Sequence, residues 1–197
     1  MSKAILIALV LGIGAGVVMP EGVSGFLDTA SSYMLLILLF SVGIDMGVNR
    51  EVFGQIRRMG LRILVIPLGV ILGSLAGGAV CAMILRMDVK EGLAITSGLG
   101  WYSLSGILMT EAGNPIGGTI SFLSNVFREV LTFLLVPVLA GRNVYTAIAP
   151  AGATAMDTTL PLLSKYTDSK TAILAFVSGV ICTLAMPVLV PLFCLKN

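Results

Sequence analysis

The chain has 197 residues, of which 57% are hydrophobic and only 11% charged. A soluble domain carries about 25% charged residues, so this composition predicts an all-α integral membrane protein without a separate soluble domain. A helix needs about 20 apolar residues to cross a bilayer, which gives the chain room for five to seven spans. The net charge of +2 and the position of the basic residues beside apolar runs exclude a nucleic-acid partner.

Histidine is absent, which removes the commonest metal ligand and proton shuttle. The three cysteines, Cys81, Cys182 and Cys194, lie in apolar runs and show no disulfide or metal-binding spacing. No Ser/His or Cys/His pair is available for nucleophilic catalysis. We therefore expect no enzyme, no metal and no cofactor, and any proton or cation chemistry falls to carboxylates.

Two spans are predicted before residue 50, at about 4–20 and 26–48. The motif GIGAG at 12–16 is typical of a close-packing face, and a helix break in mid-membrane is the alternative. Asp45 lies near the end of the second span, where an interfacial salt bridge is as plausible as a role in a site. The loop 49–62 has four arginines against one glutamate, so the positive-inside rule places it and the N-terminus in the cytoplasm.

A third span is predicted at 63–85 and a final one at 171–195, which places the C-terminus outside. Gly69, Gly73 and Gly77 follow one another every four residues, a spacing that favours close helix packing. The final span contains Pro187 and Pro191, which we expect to bend it.

The segment 92–113 is unusual for a lipid-facing helix, because serines and glycines surround Trp101 and Tyr102. Glycine is a poor helix former, and small polar residues give an unwound backbone local hydrogen-bond partners. Such a break is tolerated at membrane depth only where protein or a water-filled cavity surrounds it. An aromatic anchor at the headgroup level is the alternative reading.

The segment 121–137 is apolar at its ends but carries charge in its middle. Ser121, Asn125, Glu129 and Thr132 are spaced by four, four and three residues, so they share one helical face with Arg128 at its edge. An ionisable residue at bilayer depth is costly and normally faces a bundle interior or a watery cavity. This predicts a transport site, and the alternative is a buried Arg–Glu pair that locks two helices together.

The segment 145–166 is interrupted as well, by Pro150, Gly152 and Pro161. Asp157 lies between the two halves and is the second candidate intramembrane carboxylate. Thr154, Thr158 and Thr159 could coordinate a cation beside it, whereas the alternative is that Asp157 only caps the second half-helix. Paired interrupted segments are typical of secondary transporters, where half-helix ends meet the charged groups of the cargo.

Three motifs in this order resemble the bacterial lysine exporter family: SGLGWYSLSGILMTEAG at 97–113, FREV at 127–130 and GATAMDTTLPLL at 152–163. The resemblance extends over nearly the whole chain. It implies a membrane protein that expels L-lysine and toxic lysine analogues from the cytoplasm, and hence a multi-pass protein of the bacterial inner membrane. It also implies that Glu129 matches an intramembrane acidic residue of the family, and Asp157 the aspartate of its last interrupted helix.

The chain departs from the family in length, because full-length members carry further spans before the part that matches. We therefore expect a separately encoded membrane subunit of about three spans, or else a homodimer, to complete a two-repeat transporter. The family is distantly similar to transporters with two inverted five-helix repeats. On that basis residues 1–197 form one transporter domain, in which 63–195 is a five-helix repeat and 1–50 supplies two spans of the other.

Lysine carries two ammonium groups and one carboxylate, and each needs a compensating charge or dipole once its water is removed. We expect one ammonium group of lysine at Glu129, and the other ammonium group or a coupling ion (H⁺ or Na⁺) at Asp157. We expect the lysine carboxylate at half-helix N-termini near 98–100 or 152–154, helped by Arg128. A cation/proton antiporter and a non-transporting scaffold subunit are the rival functions. The candidate binding residues are Trp101, Tyr102, Ser103, Ser105, Asn125, Arg128, Glu129, Thr154, Asp157 and Thr158.

Overall fold

A computed structural model describes residues 60–194 continuously, together with ten separate residues between 11 and 37, all of them helical. The chain divides into two units, Met1–Asn49 and Arg50–Asn197. Within GIGAG only Gly14 and Ala15 are described, and both are helical. Asp45 and the arginines between 50 and 58 lie outside the described residues, so the predictions made for them stay predictions.

The second unit is helical throughout its described part, residues 60–194, which contains no strand. The fold class predicted from composition is therefore confirmed at the level of an all-helical protein. The elements are a 3-10 turn at Gly60–Leu64, α1 at Val65–Leu85, α2 at Val89–Thr96, α3 at Tyr102–Glu111, α4 at Pro115–Ala140, a second 3-10 turn at Gly152–Met156, α5 at Leu160–Tyr166 and α6 at Ser169–Cys194.

Three helices of the described part are long and apolar enough to cross a membrane: α1, α4 and α6. Helices α1 and α6 match the predicted spans 63–85 and 171–195, and Pro187 and Pro191 lie inside α6. Helix α4 extends beyond the segment 121–137 on both sides and begins at Pro115, because Asn114 caps it. The Asn114 side-chain oxygen accepts a hydrogen bond of 2.8 Å from the backbone N–H of Gly117. The prediction of five to seven spans in the whole chain stays a prediction.

Helices α2 and α3 form a helical hairpin, which we call hairpin 1 (residues 88–114). Its two ends lie together, since the Asn114 side-chain nitrogen donates a hydrogen bond of 2.7 Å to the Glu91 carboxylate. At 1.5 Å per residue, α2 and α3 are about 12 and 15 Å long, roughly half the thickness of a bilayer core. Neither helix of the segment 92–113 is long enough to cross a bilayer by itself.

Residues 141–168 form a second hairpin of opposite orientation, hairpin 2, made of turns, the second 3-10 turn and the short helix α5. Its residues Ile148 and Leu163 lie in one buried cluster with Val136 of α4 and Leu174 of α6. These two helix positions are near the end of α4 and the start of α6, whereas hairpin 1 has its base at the start of α4. The two hairpins therefore enter from opposite ends of the spanning helices.

The tips of the two hairpins meet beside the middle of α4. The backbone N–H of Ala153 donates a hydrogen bond of 2.8 Å to the carbonyl of Leu99. Gly152 adopts φ +59°, and a Cβ at this position would overlap the Leu99 carbonyl oxygen. The contact thus requires glycine, both for the backbone conformation and for the space. Leu99 itself has φ +50°, a conformation uncommon for a residue with a side chain.

Candidate functional site

The polar stripe of α4 faces the interior of the described unit. Ser121, Asn125, Glu129 and Thr132 are all buried, and so are Gly117, Gly118 and Val136 on the same face. The helical face predicted from the four-, four- and three-residue spacing is therefore confirmed. It places the charged residue of the span inside the protein, beside the hairpin tips, rather than in lipid.

Asn125 and Ser121 fix hairpin 1 on this face. The Asn125 side-chain oxygen accepts a hydrogen bond of 2.7 Å from the N–H of Gly100, and its nitrogen donates to the Ser121 carbonyl at 2.8 Å. The Ser121 hydroxyl donates to the Ile95 carbonyl at 3.0 Å and lies 3.1 Å from the Ser105 hydroxyl. The roles of Asn125 and Ser105 seen here are structural ones at the turn of hairpin 1.

Glu129 is 8% exposed and lies one turn beyond Asn125 on the same face. Its carboxylate makes no hydrogen bond and no ion pair with any residue of the described part. Its charge acts on the Tyr102 hydroxyl, and so does the charge of Asp157. The two acidic residues predicted as a site therefore lie within electrostatic range of the same tyrosine.

Arg128 faces hairpin 2 and α1. Its Nε donates to the carbonyl of Pro150 at 2.8 Å, one Nη to the hydroxyl of Ser74 at 3.0 Å and the other Nη to the carbonyl of Ala149 at 3.3 Å. The guanidinium therefore has protein acceptors on all three of its nitrogens. It does not form the buried pair with Glu129 that the alternative reading of this span requires.

Trp101, Tyr102 and Ser103 stand where hairpin 1 turns back into α3, and all three side chains are half-buried. The Tyr102 ring packs edge-to-face against Phe122, with the ring centroids 5.6 Å apart. This position at a hairpin tip differs from the aromatic anchor at a headgroup level that was the alternative interpretation.

The N-terminus of α3 is uncapped. Trp101 occupies the N-cap position without a side-chain hydrogen bond to the helix. The N–H of Ser105 is the first to find a backbone acceptor, the Trp101 carbonyl, so the three N–H groups before it have none within the described residues. The positive end of a helix dipole thus lies beside Tyr102 and in reach of the same tip region.

Asp157 follows the second 3-10 turn and is exposed within the described part. Its carboxylate accepts a hydrogen bond from the N–H of Thr158, the next residue. The Thr158 hydroxyl is buried and has no hydrogen-bond partner in the described part. Helix α5 has Thr159 at its N-cap and no side-chain cap. The interpretation of Asp157 as a helix cap is therefore not supported.

The Thr154 oxygens are engaged within hairpin 2. Its hydroxyl donates to the Ala151 carbonyl at 2.9 Å, and its carbonyl accepts from the hydroxyl and N–H of Thr159 and from the N–H of Asp157. Both threonines are buried. These bonds stabilise the turn and leave the Thr154 carbonyl saturated. In the described part of the chain no three His, Cys, Asp or Glu residues are grouped as a metal site.

Three contacts at this site were not anticipated from the sequence. Ser74 was not singled out, since α1 showed only its glycine spacing, yet it accepts a hydrogen bond from Arg128. Phe122 packs on Tyr102, and the Leu99 carbonyl joins hairpin 1 to hairpin 2. A serine within an apolar span was the one available signal for Ser74, whereas nothing local marks a backbone contact between distant turns.

Comparison with known proteins gives two similar relatives. The "Lysine exporter LysO" of Escherichia coli (strain K12) is 40% identical over 166 residues, which cover 83% of this chain and 54% of the relative. The chain thus spans about half the length of that relative. The "Putative lysine exporter" of Haemophilus influenzae (strain ATCC 51907 / DSM 11121 / KW20 / Rd) is 35% identical over 197 residues, 97% of each chain. No solved structure matches the chain.

A family model described as "Lysine exporter LysO" matches residues 6–194. The match takes in both hairpins, the three spanning helices and every candidate site residue. It agrees with the resemblance found in the three motifs, and it describes a family of transporters rather than of enzymes. This chain belongs to the lysine exporter LysO family.

Proposed function

We propose that the chain exports L-lysine across the bacterial inner membrane as a secondary transporter, with its cargo bound where the two hairpin tips meet α4. The observation that carries this proposal is the state of Glu129, which is buried within an apolar span without a protein partner in the described residues. Family membership and the printed names of both relatives support lysine as the cargo.

A buried carboxylate without a partner is costly, because desolvation of the charge is not offset by a hydrogen bond or an ion pair. Such a group within a span is normally kept for a cation that it binds in turn. An ammonium group of lysine meets this need at Glu129. Asp157, which is exposed and whose charge acts on the same tyrosine, then takes the second ammonium group or the coupling ion.

The lysine carboxylate is best matched by the uncapped N-terminus of α3. The N–H groups of Gly100 and Ala153, near the two positions first considered, are engaged by Asn125 and Leu99 respectively. The first N–H groups of α3 have no such acceptor and carry the positive end of the helix dipole. Arg128 is already bonded to three acceptors, so we assign it no contact with the cargo.

We propose H⁺ rather than Na⁺ as the coupling ion. The hydroxyls of Thr154 and Thr159 are engaged in the turn, so a Na⁺ site at hairpin 2 would have only the Thr158 hydroxyl beside the Asp157 carboxylate. A carboxylate can exchange a proton for a lysine ammonium group without any further ligand. Proton entry at Glu129 would then accompany lysine exit. A second copy or a separate small subunit would complete the two-repeat transporter.

The test compares efflux of labelled L-lysine from vesicles that contain the wild type, Glu129→Gln or Glu111→Gln. We expect Glu129→Gln to lower efflux about 100-fold, the loss of a charge-assisted contact worth about 3 kcal/mol. Glu111 is an exposed carboxylate near the outer end of α3, so Glu111→Gln serves as the matched control. Undiminished efflux from Glu129→Gln would remove that residue from the mechanism, and proton movement independent of lysine would favour the cation/proton antiporter instead.

A further inference from the structure

One turn of α4, Asn125 to Arg128, holds the tips of both hairpins. Asn125 binds hairpin 1 through the N–H of Gly100, and a Cβ at Gly98 would overlap the Asn125 side chain. Arg128 binds hairpin 2 through the carbonyls of Ala149 and Pro150. Glu129 follows directly, so both tips are fixed at the level of the carboxylate that we propose as the cargo site.

Hairpin 2 needs an external donor at this point. Its chain passes from turns into the 3-10 turn at 152–156, so carbonyls before that turn lack the hydrogen bonds of a continuous helix. At membrane depth water does not compensate for such groups, and each must be satisfied by protein. The guanidinium of Arg128 supplies planar donors to two successive carbonyls and a third donor to Ser74 of α1.

We propose that Arg128 is a positioning residue for transport: it holds the tip of hairpin 2 between α1 and α4, in contact with hairpin 1, and does not bind the lysine carboxylate. The Ala153–Leu99 hydrogen bond joins the tips, so displacement of hairpin 2 would disturb hairpin 1 as well. The consequence for transport rests on the proposed function, whereas the packing of the tip is measured independently of it.

The role depends on shape as well as charge. A lysine at position 128 keeps the charge but presents one point of donation on a flexible stem, which does not match two carbonyls and a hydroxyl held at different positions. We therefore expect Arg128→Lys to lower the maximal efflux rate about tenfold and to leave the KM for lysine within about twofold of wild type. A ligand of the carboxylate would show the reverse split, with a raised KM.

Tip packing is tested by thiol protection. Ala153 is 5% exposed, so Ala153→Cys in a background without Cys81, Cys182 and Cys194 places a buried thiol at the tip. A membrane-permeant maleimide then reports how often the tip opens. We expect Arg128→Met to raise its reaction rate about tenfold or more, and Ser74→Ala, which removes one acceptor, about threefold. Arg142→Met, at an exposed arginine after the end of α4, is the matched control and should change nothing.

An unchanged labelling rate in Arg128→Met would overturn the proposal, whatever happened to efflux. If Arg128→Met failed to insert into the membrane, the test would rest on Ser74→Ala alone. An unchanged labelling rate in that variant would also overturn the proposal. A wild type that showed tip protection but no lysine efflux would contradict the proposed function and leave the positioning of the tip by Arg128 intact.

Discussion

Arg128 and Glu129 are neighbours in the sequence and opposite in their surroundings. Successive residues of an α-helix point about 100° apart, so the two side chains diverge instead of neutralising each other. Arg128 finds acceptors on hairpin 2 and α1, whereas Glu129 has no partner in the described unit. Arg128 is therefore engaged in the structure, whereas the Glu129 carboxylate is buried without such a contact in the described part. That difference can be measured.

The stability of Glu129→Gln distinguishes a carboxylate that binds cargo from a carboxylate that stabilises the fold. If the carboxylate is an unpaired buried charge, its replacement by a neutral isostere should leave the free energy of unfolding unchanged or raise it by about 1 kcal/mol. Thermal unfolding of the purified protein in detergent at neutral pH provides the measurement. A decrease of several degrees in Tm would instead indicate that Glu129 belongs to a stabilising pair, as a scaffold subunit requires.

Gly152→Ala should disrupt the contact between the tips. An L-residue in the left-handed region costs about 1–2 kcal/mol, and the added Cβ would also overlap the Leu99 carbonyl. We expect a lower Tm and efflux reduced at least about tenfold. Gly141→Ala is the matched control, because Gly141 has φ −67° and a Cβ there would meet only ordinary contacts. Equal behaviour of the two variants would contradict the tip geometry.

At the scale of elements, α4 organises the unit, because hairpin 1 packs on its first half and hairpin 2 on its second. Ser121 and Asn125 bind hairpin 1, and Arg128 binds hairpin 2. Val136 packs in the buried cluster that contains Ile148 and Leu163 of hairpin 2. A helix of 26 residues is about 39 Å long, enough to pass both hairpins while crossing a bilayer. The order of polar residues along α4 is thus the order in which the hairpins contact it.

The sequence predicted the helical breaks and the buried face of α4, because both follow from local residue types and spacing. It did not predict the direction of the chain after each break. A segment of 22 residues such as 92–113 is long enough to cross a bilayer, and glycine and serine permit either a kink or a reversal. The acceptors of Arg128 could not be predicted either, because Pro150 and Ser74 are 22 and 54 residues away in sequence.

The base of hairpin 1 depends on Asn114, whose side chain caps α4 and donates to Glu91. Asn114→Ser keeps an N-cap but is too short for the second bond, so we expect a loss of about 1 kcal/mol. Asn114→Asp keeps the cap and sets a carboxylate against that of Glu91, so it should be the less stable variant at neutral pH. Unfolding in detergent at pH 7 and pH 4 checks this. The aspartate variant should recover part of its stability at pH 4, where the introduced aspartate begins to be protonated, and no recovery would contradict the contact.

At the scale of the whole molecule, the two hairpins run in opposite directions about a shared level, which is how inverted-repeat transporters place a site near the bilayer midplane. The H. influenzae relative has nearly the same length as this chain, and the E. coli relative is about one and a half times as long. A five-element unit of α1, hairpin 1, α4, hairpin 2 and α6 would be one repeat of such a fold.

Because the two hairpins enter from opposite ends of the spanning helices, single cysteines at their bases should be labelled from opposite sides of the membrane. Lys90 and Ala112, both exposed at the base of hairpin 1, should react from one side as single cysteines, and Arg142 and Lys165, both exposed at the base of hairpin 2, from the other. The basic loop before residue 63 is cytoplasmic by the positive-inside rule. The base of hairpin 2 lies at the same end of the unit as the start of α1, so Arg142 and Lys165 should be cytoplasmic as well. A membrane-impermeant maleimide applied to intact cells should therefore label Lys90→Cys and Ala112→Cys in a background without native cysteines, and label the other two only after permeabilisation. If 92–113 crossed the bilayer, Lys90→Cys and Ala112→Cys would label from opposite sides, and the re-entrant hairpin, with the site we place at its tip, would have to be abandoned.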